Sequence, residues 1–421
     1  MSASLRAWLD RLERRTPESR IELGLERVRS VLASFPFGIP ACPVITVGGT
    51  NGKGSVVAML EAMCQAAGLK TLAYSSPHLL DFRERIRIDG RPAPAAVIAE
   101  ALEQVEYLRG TTPLSYFEQV TLAALAIAVR QQPDVLLLEV GLGGRLDAVN
   151  VIDADVAVMT SIGLDHVEWL GPTRLSIGRE KAGIARAGRP LVVGEKRLPA
   201  GLPEVLGASG AELWLAGRDF RWRGQSGARL QIDYADQTLL LPRPALAGPW
   251  QMGNAACAVT ALLRLAGRLG VQPIHIAQGL ERVSLPGRLQ KVSSSPDVWL
   301  DVAHNGAAAR ALAGALGSVK GRSSAVFSAL AGKDIRAIGR ALDRCFDCWL
   351  VAPLDGDRAC SADCLSAELR GIPVAGSVET VESVPTALKL ALKNAGPEDR
   401  IVVFGSFRTV ATAWPVVHKR N

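Results

Sequence analysis

The sequence lacks long hydrophobic runs: no uncharged apolar stretch reaches the roughly 18 residues that a membrane-spanning helix requires. The first ten residues, Met1-Ser-Ala-Ser-Leu-Arg-Ala-Trp-Leu-Asp10, lack the apolar core of a signal peptide and have the spacing of an amphipathic helix. Internal repeats and low-complexity tracts are also missing. We therefore expect a cytoplasmic protein that does not act at a membrane.

Aromatic residues and clustered charges are scarce as well. Aromatic side chains make up 5% of the 421 residues, and the 48 Lys and Arg residues are scattered along the chain. Nucleic-acid binding is disfavoured, because it relies on basic stripes that are interleaved with aromatic side chains. The formal net charge of +7 is also compatible with small polyanions such as ATP.

The seven cysteines are an odd number, so they cannot all pair, and we expect a cytoplasmic chain to keep them reduced. The spacing of Cys345, Cys348, Cys360 and Cys364 loosely resembles that of zinc ligands. However, Cys348 opens a predicted strand and Cys364 lies in a predicted helix, so free core cysteines are the alternative. The sequence leaves open whether these four residues bind anything.

The length of the chain favours two or three domains, and its 48% apolar and 21% charged content is typical of folded proteins. In the first half, continuously apolar strands alternate with helices, which is typical of a parallel sheet covered on both faces. We predict strands at 44–47, 70–74, 134–139, 155–160 and 190–194, and helices at 55–67, 95–108, 117–131 and 173–186. This pattern predicts a doubly wound α/β domain.

From residue 211 to residue 241 the pattern changes to short segments with partial two-residue alternation. The segments 213–215, 220–223, 229–234 and 238–241 predict an antiparallel β extension, which a helix at 253–269 follows. Strands alternate with helices again at 298–301, 325–330, 348–352 and 401–404. We therefore predict a P-loop doubly wound domain with this extension (1–285) and a smaller Rossmann-like α/β domain (286–421), with a hinge near 284–288.

The most informative segment reads Val44-Ile-Thr-Val-Gly-Gly-Thr-Asn-Gly-Lys-Gly-Ser55 and consists of a predicted strand, a glycine-rich loop and a helix start. Phosphate-binding loops have this context, because backbone N–H groups and the helix dipole then face the phosphates. Lys53 would meet the outer phosphates, and Ser55 would face magnesium. The match is imperfect because Gly54 separates Lys53 from Ser55, and a glycine-rich turn without a ligand is the alternative. We predict a nucleoside triphosphate site.

Three further strand ends carry polar residues. Glu139 ends one strand, and the segments Ser161-Ile-Gly-Leu-Asp-His166 and Ser75-Ser-Pro-His78 follow two others. Ligands gather at the carboxyl ends of the strands in open α/β sheets. These residues therefore predict a Mg²⁺ site that phosphate oxygens and water complete.

The second domain has a similar strand end at Leu300-Asp-Val-Ala-His-Asn305. Asp301 and His304 would face a nucleotide held between the two domains, whereas Asn305 can act as the cap of the following helix. Arg288 lies on the predicted hinge.

A series of motifs resembles one family. In chain order they are Gly49-Thr-Asn-Gly-Lys-Gly-Ser55, Ser75-Ser-Pro-His-Leu79, Glu139-Val-Gly-Leu-Gly-Gly-Arg-Leu-Asp147, Thr160-Ser-Ile-Gly-Leu-Asp-His166, Ile177-Gly-Arg-Glu-Lys-Ala-Gly-Ile184, Pro286-Gly-Arg288, Asp301-Val-Ala-His-Asn305 and Gly405-Ser-Phe-Arg-Thr-Val410. Together they resemble the folylpolyglutamate synthase family, especially its bacterial bifunctional members that are also dihydrofolate synthases. That family is related to the Mur ligases of cell-wall synthesis.

The resemblance implies ATP-dependent amide ligation. A substrate carboxylate would take the γ-phosphoryl group, and the amine of L-glutamate would attack the resulting acyl phosphate. The implied partners are dihydropteroate, folates, L-glutamate and ATP, and we expect a monomer that binds neither nucleic acid nor a membrane. The segment 76–90 resembles the bifunctional type, and a monofunctional folylpolyglutamate synthase is the alternative.

The resemblance also implies a role for individual residues. The catalytic residues would be Lys53, Lys181 and His304, with Lys181 carbamylated. The ATP-binding residues would be Thr50, Asn51, Gly52, Lys53, Gly54, Ser55, Asn254, Arg288 and Asp301. Pteroate would contact Glu22, Leu23, Gly24, Leu25, Ser115, Tyr116, Phe117, Glu118, Leu146, Asp147 and Ala148. We expect two Mg²⁺ ions, with Ser76, Glu139 and His166 as ligands.

Two other functions are alternatives to this ligase. A Mur-type ligase is disfavoured because the loop reads Gly-Lys-Gly-Ser rather than Gly-Lys-Thr. A nucleotide-dependent switch that binds protein or nucleic acid would leave the acid and imidazole of the second domain unexplained. Two departures from the family pattern, Val149 and Gly306, remove no essential chemistry.

Overall fold

The structure, a computed structural model, describes residues 3–36, 38–356 and 359–418. It divides into two compact units with the main boundary between Ser284 and Leu285. Two short segments, Leu164–His166 and Leu246–Trp250, group with the C-terminal unit. No helix among the described residues is long and apolar enough to cross a membrane.

The N-terminal unit is built from alternating strands and helices. Its helices are α1 (Ala3–Arg15), α2 (Glu26–Ala33), α3 (Lys53–Ala66), α4 (Ala95–Arg109), α5 (Tyr116–Gln131), α6 (Val167–Leu170), α7 (Arg174–Ala182), α8 (Leu202–Ala208), α9 (Gln251–Leu263), α10 (Ala266–Leu269) and α11 (Pro273–Arg282). Its strands are β1 (Val44–Gly48), β2 (Thr71–Tyr74), β3 (Ile86–Ile88), β4 (Arg91–Pro92), β5 (Val135–Glu139), β6 (Val156–Met159), β7 (Pro190–Val193), β8 (Glu212–Leu215), β9 (Phe220–Gln225), β10 (Arg229–Tyr234) and β11 (Gln237–Pro242). Short 3-10 turns lie at Phe82–Arg85 and Ala148–Val151.

The main sheet has the strand order β4-β3-β2-β5-β1-β6-β7-β8 over the described residues. Strands β2, β5, β1, β6, β7 and β8 run parallel, and β3 and β4 add an antiparallel edge. Every residue of β1, β2, β5 and β6 is buried, as their continuous apolar runs predict. The central strand β1 lies between β5 and β6, so the carboxyl ends of these three strands meet at the topological switch point.

Strands β9, β10 and β11 form a separate three-stranded antiparallel sheet. The predicted extension is thus confirmed for three of its four strands. The fourth assignment was wrong: β8 pairs in parallel with β7 and belongs to the main sheet. A short segment with partial alternation fits the edge of either sheet, so its pattern alone does not assign it.

Two predicted helices are shorter than expected. The helix predicted at 173–186 ends at Ala182, and Gly183 is its C-cap residue, at a position where a Cβ would overlap Arg145. The helix predicted at 253–269 is interrupted between Leu263 and Ala266, so α9 and α10 are separate.

The C-terminal unit is a smaller α/β domain. Its helices are α12 (Gly306–Leu316), α13 (Ile335–Ala341), α14 (Ala362–Arg370), α15 (Val384–Asn394) and α16 (Phe407–His418). Its strands are β12 (Gln290–Ser294), β13 (Asp297–Leu300), β14 (Ser323–Phe327), β15 (Cys348–Val351), β16 (Ser377–Thr380) and β17 (Arg400–Phe404), in the sheet order β12-β13-β17-β14-β15-β16. All of its neighbouring strands are parallel except β12 and β13, and the rings of Phe327, Trp349 and Phe404 pack together in its core.

Candidate active site

The glycine-rich loop joins β1 to α3 at the switch point. Gly49 and Gly52 have φ values of +143° and +90°, which side chains rarely adopt. A Cβ at Gly49 would overlap the hydroxyl of Thr160, and a Cβ at Gly52 would overlap the amide of Asn254. The Lys53 Nζ donates to the carbonyls of Gly49 (3.1 Å) and Thr50 (3.3 Å), so its charge lies over the loop.

The segment after β6 holds this loop in place. The Thr50 N–H donates to the Ser161 carbonyl (2.8 Å), and the Asn51 N–H donates to the Ser161 hydroxyl (3.0 Å). The Thr50 hydroxyl donates to the Gly163 carbonyl at 3.1 Å. The Thr160 hydroxyl donates to the Asn51 carbonyl at 2.7 Å. These contacts fix the loop backbone just before the N-terminus of α3, which is the end of a helix that favours an anion.

Helix α9 supplies two side chains to the same loop. The fully buried Gln251 donates from Nε2 to the Ser55 hydroxyl (3.3 Å) and accepts from Asn254 Nδ2 (2.8 Å). The structure therefore places Asn254 beside Gly52 and Ser55. Gln251 was not predicted, because it lies 196 residues from Ser55 and shows no motif.

Two of the predicted metal ligands lie together at the neighbouring strand ends. Glu139, the last residue of β5, is 5% exposed, and its Oε2 accepts a hydrogen bond from the Ser76 N–H (3.3 Å). The pairing of Tyr74 with Leu138 explains this proximity, because it aligns the ends of β2 and β5. Glu139 and Ser76 carry carboxylate and hydroxyl oxygens, which are the ligands that Mg²⁺ prefers, so the chemistry of these residues fits the expected ion.

The third predicted ligand, His166, has a φ of +51° and belongs to the segment that groups with the C-terminal unit. Its neighbour Asp165 accepts from Asn305 Nδ2 (3.0 Å), pairs with Lys333 Nζ (2.5 Å) and lies 3.4 Å from His304 Nε2. Burial raises the pKa of Asp165, but His304 and Lys333 outweigh this effect and hold it well below its usual range. Lys333 was not predicted, since nothing in its local pattern marks it.

Lys181 lies in the last turn of α7 and is 3% exposed. The helix packs closely on the loop that follows β5, because a Cβ at Gly144 would lie 3.1 Å from Cα of Lys181. Lysines are almost never this deeply buried unless they are paired. The structure thus places Lys181 beside the loop that follows Glu139.

The predicted pteroate residues come together from three segments. The Gly24 N–H donates to the Leu146 carbonyl (3.2 Å). Arg27 binds the Glu118 carboxylate through Nε (3.1 Å) and Nη2 (2.8 Å). Glu22, which precedes Gly24, lies 3.9 Å from the same guanidinium. Arg27 was not predicted, because it lies 91 residues from Glu118.

Local hydrogen bonds explain the form of two of these segments. Ser115 and Glu118 form a capping box at the start of α5, in which Glu118 accepts from the Ser115 N–H at 2.7 Å. Asp147 is 3% exposed and accepts from the Leu142 and Val149 N–H groups at 2.7 and 3.1 Å. Burial raises the pKa of Asp147 to about 6.

The remaining pteroate candidates are buried or half-buried, or pack against the loop after β5. The Phe117 ring packs against the loop after β5, because a Cβ at Gly141 would lie 2.6 Å from it. Tyr116 is buried, Leu23 is half-buried, and Leu25 and Ala148 are buried.

In the C-terminal unit, Asp301 organises the turn that carries Arg288. Its carboxylate accepts from the Leu289 and Ala303 N–H groups, both at 2.7 Å, and burial raises its pKa. The Arg288 guanidinium lies 4.8 Å from the centre of the Phe407 ring, which also contacts His304. The Asn305 side chain accepts from the Ala308 N–H (2.9 Å), so the predicted cap of α12 is confirmed.

Cys345, Cys348, Cys360 and Cys364 are free thiols, as are Cys42, Cys64 and Cys257. Cys348 begins β15 and Cys364 lies in α14, as predicted. Across residues 3–36, 38–356 and 359–418, no group of three or more His, Cys, Asp and Glu side chains is placed to hold a metal ion.

Comparisons with known proteins match both units. The Mur ligase middle domain matches residues 47–190, and the Mur ligase, glutamate ligase domain, matches residues 287–407. The dihydrofolate synthase/folylpolyglutamate synthase of Escherichia coli strain K12 is 42% identical to this chain. The match spans 422 aligned residues and covers 100% of this chain and 97% of that protein.

Solved structures agree with this relationship. Escherichia coli FolC in complex with DHPP and ADP has a TM-score of 0.91 and 42% identity, over 99% of this chain and 98% of that one. A bifunctional folylpolyglutamate synthase/dihydrofolate synthase with Mn, AMPPNP and L-glutamate bound has a TM-score of 0.90 and 42% identity, over 98% of each chain. The chain therefore belongs to the dihydrofolate synthase/folylpolyglutamate synthase family of the Mur ligases.

Proposed function

We propose that this chain is an ATP-dependent ligase that adds L-glutamate to dihydropteroate, giving dihydrofolate, and to reduced folates, giving folylpolyglutamates. The observation that carries the proposal is the glycine-rich loop, which hydrogen bonds to Ser161 hold in place at the sheet edge where Ser76 contacts Glu139. The chain also has a full-length relative that is named for this activity. The relatives with bound ADP, AMPPNP, Mn and L-glutamate support ATP, a divalent metal ion and glutamate as ligands.

The first step activates the acceptor. A carboxylate oxygen of the acceptor attacks the γ-phosphorus of ATP, which gives an acyl phosphate and ADP. The residues 50–55 hold the phosphates, with the N-terminus of α3 directed at them, and Lys53 neutralises negative charge on the phosphate that is transferred. Catalysis here rests on positioning and charge neutralisation rather than on a protein nucleophile. The proposal also assigns Asn254, Arg288 and Asp301 to ATP binding.

The second step forms the amide. The glutamate amine attacks the acyl carbon, inorganic phosphate leaves, and the amine loses a proton. His304 lies at the strand end of the second domain, where both of its ring nitrogens face oxygen atoms: Nδ1 is 2.8 Å from the Val302 carbonyl and Nε2 is 3.4 Å from Asp165. These two contacts fix the orientation of the ring that we assign to this step.

Ser76, Glu139 and His166 would hold Mg²⁺, which when bound would neutralise charge on the phosphate oxygens. A carbamate on Lys181 would supply an oxygen ligand for a second ion. The position of Lys181 supports this modification, because it is 3% exposed and lies beside the loop that follows Glu139, where a carbamate oxygen would add to the oxygen ligands that Mg²⁺ prefers.

The acceptor would bind to the segments 22–25, 115–118 and 146–148. The contacts that join Gly24 to Leu146, and Glu22 and Glu118 to Arg27, support one continuous site. We also propose that residues 1–285 form the ATP-binding domain and residues 286–421 the glutamate-ligase domain. A cytoplasmic location and a monomeric state stay predictions.

The deciding experiment measures ADP release with L-glutamate and either dihydropteroate or tetrahydrofolate, and identifies the products by mass spectrometry. The proposal predicts turnover and a product one glutamate heavier with each acceptor. Turnover with tetrahydrofolate alone would select a monofunctional folylpolyglutamate synthase. If neither acceptor supports glutamate-dependent turnover, the proposed function is wrong.

A further inference from the structure

Arg85 has no role in the site described above, yet it is the most deeply buried arginine near it. It ends the 3-10 turn Phe82–Arg85, and its side chain is 1% exposed. Glu18 is its carboxylate partner, at 2.7 Å from Nη2. The side chain of Glu18 is itself 43% exposed.

Arg85 contacts the Ser76 loop on both sides of Ser76. Its backbone carbonyl accepts from the Ser75 N–H (2.8 Å), and its Nε donates to Nδ1 of His78 (2.9 Å). One residue therefore fixes the chain immediately before Ser76 and two positions after it. The Ser76 N–H is in turn directed to Glu139 at 3.3 Å.

The same guanidinium also reaches the candidate pteroate site. It lies 5.4 Å from the centre of the Phe82 ring and 5.9 Å from that of Tyr116. Tyr116 is the first residue of α5, next to the capping residue Ser115. Arg85 thus connects the Ser76 loop with the start of α5.

Stability alone does not explain this residue. In the described structure the Nη1 of Arg85 is buried without a hydrogen-bond partner, which leaves part of a desolvated cation unsatisfied. The ion pair with Glu18, whose side chain is 43% exposed, is screened by water and contributes little to stability.

We infer that Arg85 is a positioning residue that fixes Ser76 for metal binding and couples the Ser76 loop to the acceptor-binding end of α5. The inference rests on the proposed function, since it assumes that Ser76 is a metal ligand. Partners that orient metal ligands typically change metal affinity or activity by about 10- to 100-fold when they are removed.

The test is a Mn²⁺ titration followed by electron paramagnetic resonance, with a non-hydrolysable ATP analogue present. Arg85→Gln is expected to weaken Mn²⁺ binding about 10- to 100-fold. Arg85→Lys keeps the charge but not the planar fork, so its affinity is expected to lie between those of Arg85→Gln and the wild type. Binding of ADP without metal is expected to stay unchanged in both variants.

The matched control is Arg83→Gln, the same chemical change in the same turn. Arg83 is partly exposed and pairs with Asp81, so its loss is expected to leave Mn²⁺ affinity unchanged. If Arg85→Gln does not fold, His78→Ala carries the test, because it removes the acceptor of the Nε hydrogen bond and leaves Arg85 in place. It is expected to weaken Mn²⁺ binding about 10-fold.

Wild-type Mn²⁺ affinity in a folded Arg85→Gln or in His78→Ala would overturn the inference. Failure of the proposed function would look different, because it would remove glutamate-dependent ADP release from the wild type whatever the Mn²⁺ titrations show. Unchanged Mn²⁺ binding in Ser76→Ala would show that Ser76 is not a metal ligand, and the inference about Arg85 would then be wrong as well.

Discussion

Gly52→Ala is the substitution whose effect the structure defines best. Gly52 has a φ of +90°, and left-handed backbone costs a residue with a side chain about 1–2 kcal/mol. The new Cβ would also displace the Asn254 amide, which donates to Gln251 at 2.8 Å, and losing such a hydrogen bond costs about 1 kcal/mol. The loop can relieve this strain by distorting, but ATP binding must then restore its shape.

Because the nucleotide must return the loop to its strained shape when it binds, the binding free energy is expected to weaken by about 2–3 kcal/mol. This corresponds to a loss of affinity of roughly 30- to 150-fold. Calorimetric titration with ADP measures this change directly, and the Michaelis constant for ATP should rise in parallel. The thermal unfolding midpoint should show that the variant remains folded.

Gly68→Ala is the matched control at the other end of α3. Gly68 has a φ of +76°, but a Cβ there would meet nothing within 4 Å. It should lose stability through the same backbone strain and bind ADP like the wild type. Equal losses of ADP affinity in the two variants, or normal affinity in Gly52→Ala, would refute the assignment of the loop.

Three further predictions follow from the site. Lys53→Ala should abolish ligation while the fold is kept, because the charge at the transferred phosphate is lost; near-normal turnover would show that the loop is not the ATP site. Lys181→Ala should lower turnover about 10- to 100-fold, only partly restored by high Mg²⁺, and should remove a carbamate signal seen by carbon-13 NMR in labelled bicarbonate; full activity would refute the carbamate. Asp147 has its pKa raised to about 6 by burial, so between about pH 4 and 6 the folded protein keeps a proton that the unfolded chain releases, and its contribution to stability falls as pH rises through that window. The free energy of unfolding of wild type relative to Asp147→Asn should therefore fall by at most about 3 kcal/mol from pH 4 to pH 7, and a difference that is flat with pH would contradict the raised pKa.

Local patterns predicted the elements that position the site. The apolar runs of β1, β5 and β6 and the glycines at 49 and 52 were sufficient to place the loop and Glu139 at one sheet edge. The cap at Asn305 was also predictable, because a helix cap depends on neighbours within a few residues. Features that depend on residues within about ten positions of each other could thus be predicted from the sequence.

Contacts between segments that are distant in the sequence could not be predicted in this way. Gln251 reaches Ser55, Arg27 reaches Glu118 and Lys333 reaches Asp165 across 196, 91 and 168 residues. Such pairs form only when the tertiary fold brings them together, and they leave no periodicity in the sequence. The edge strands β12 and β16 were missed for another reason: they are largely exposed and polar, so they lack an apolar run.

The most direct test of the central claim follows oxygen from the acceptor acid. Dihydropteroate labelled with oxygen-18 in its carboxylate would be turned over with ATP and L-glutamate, and the inorganic phosphate would be analysed by mass spectrometry. Activation of the carboxylate as an acyl phosphate predicts that each phosphate released carries one labelled oxygen. Phosphate that carries no label, formed while dihydrofolate accumulates, would contradict the account.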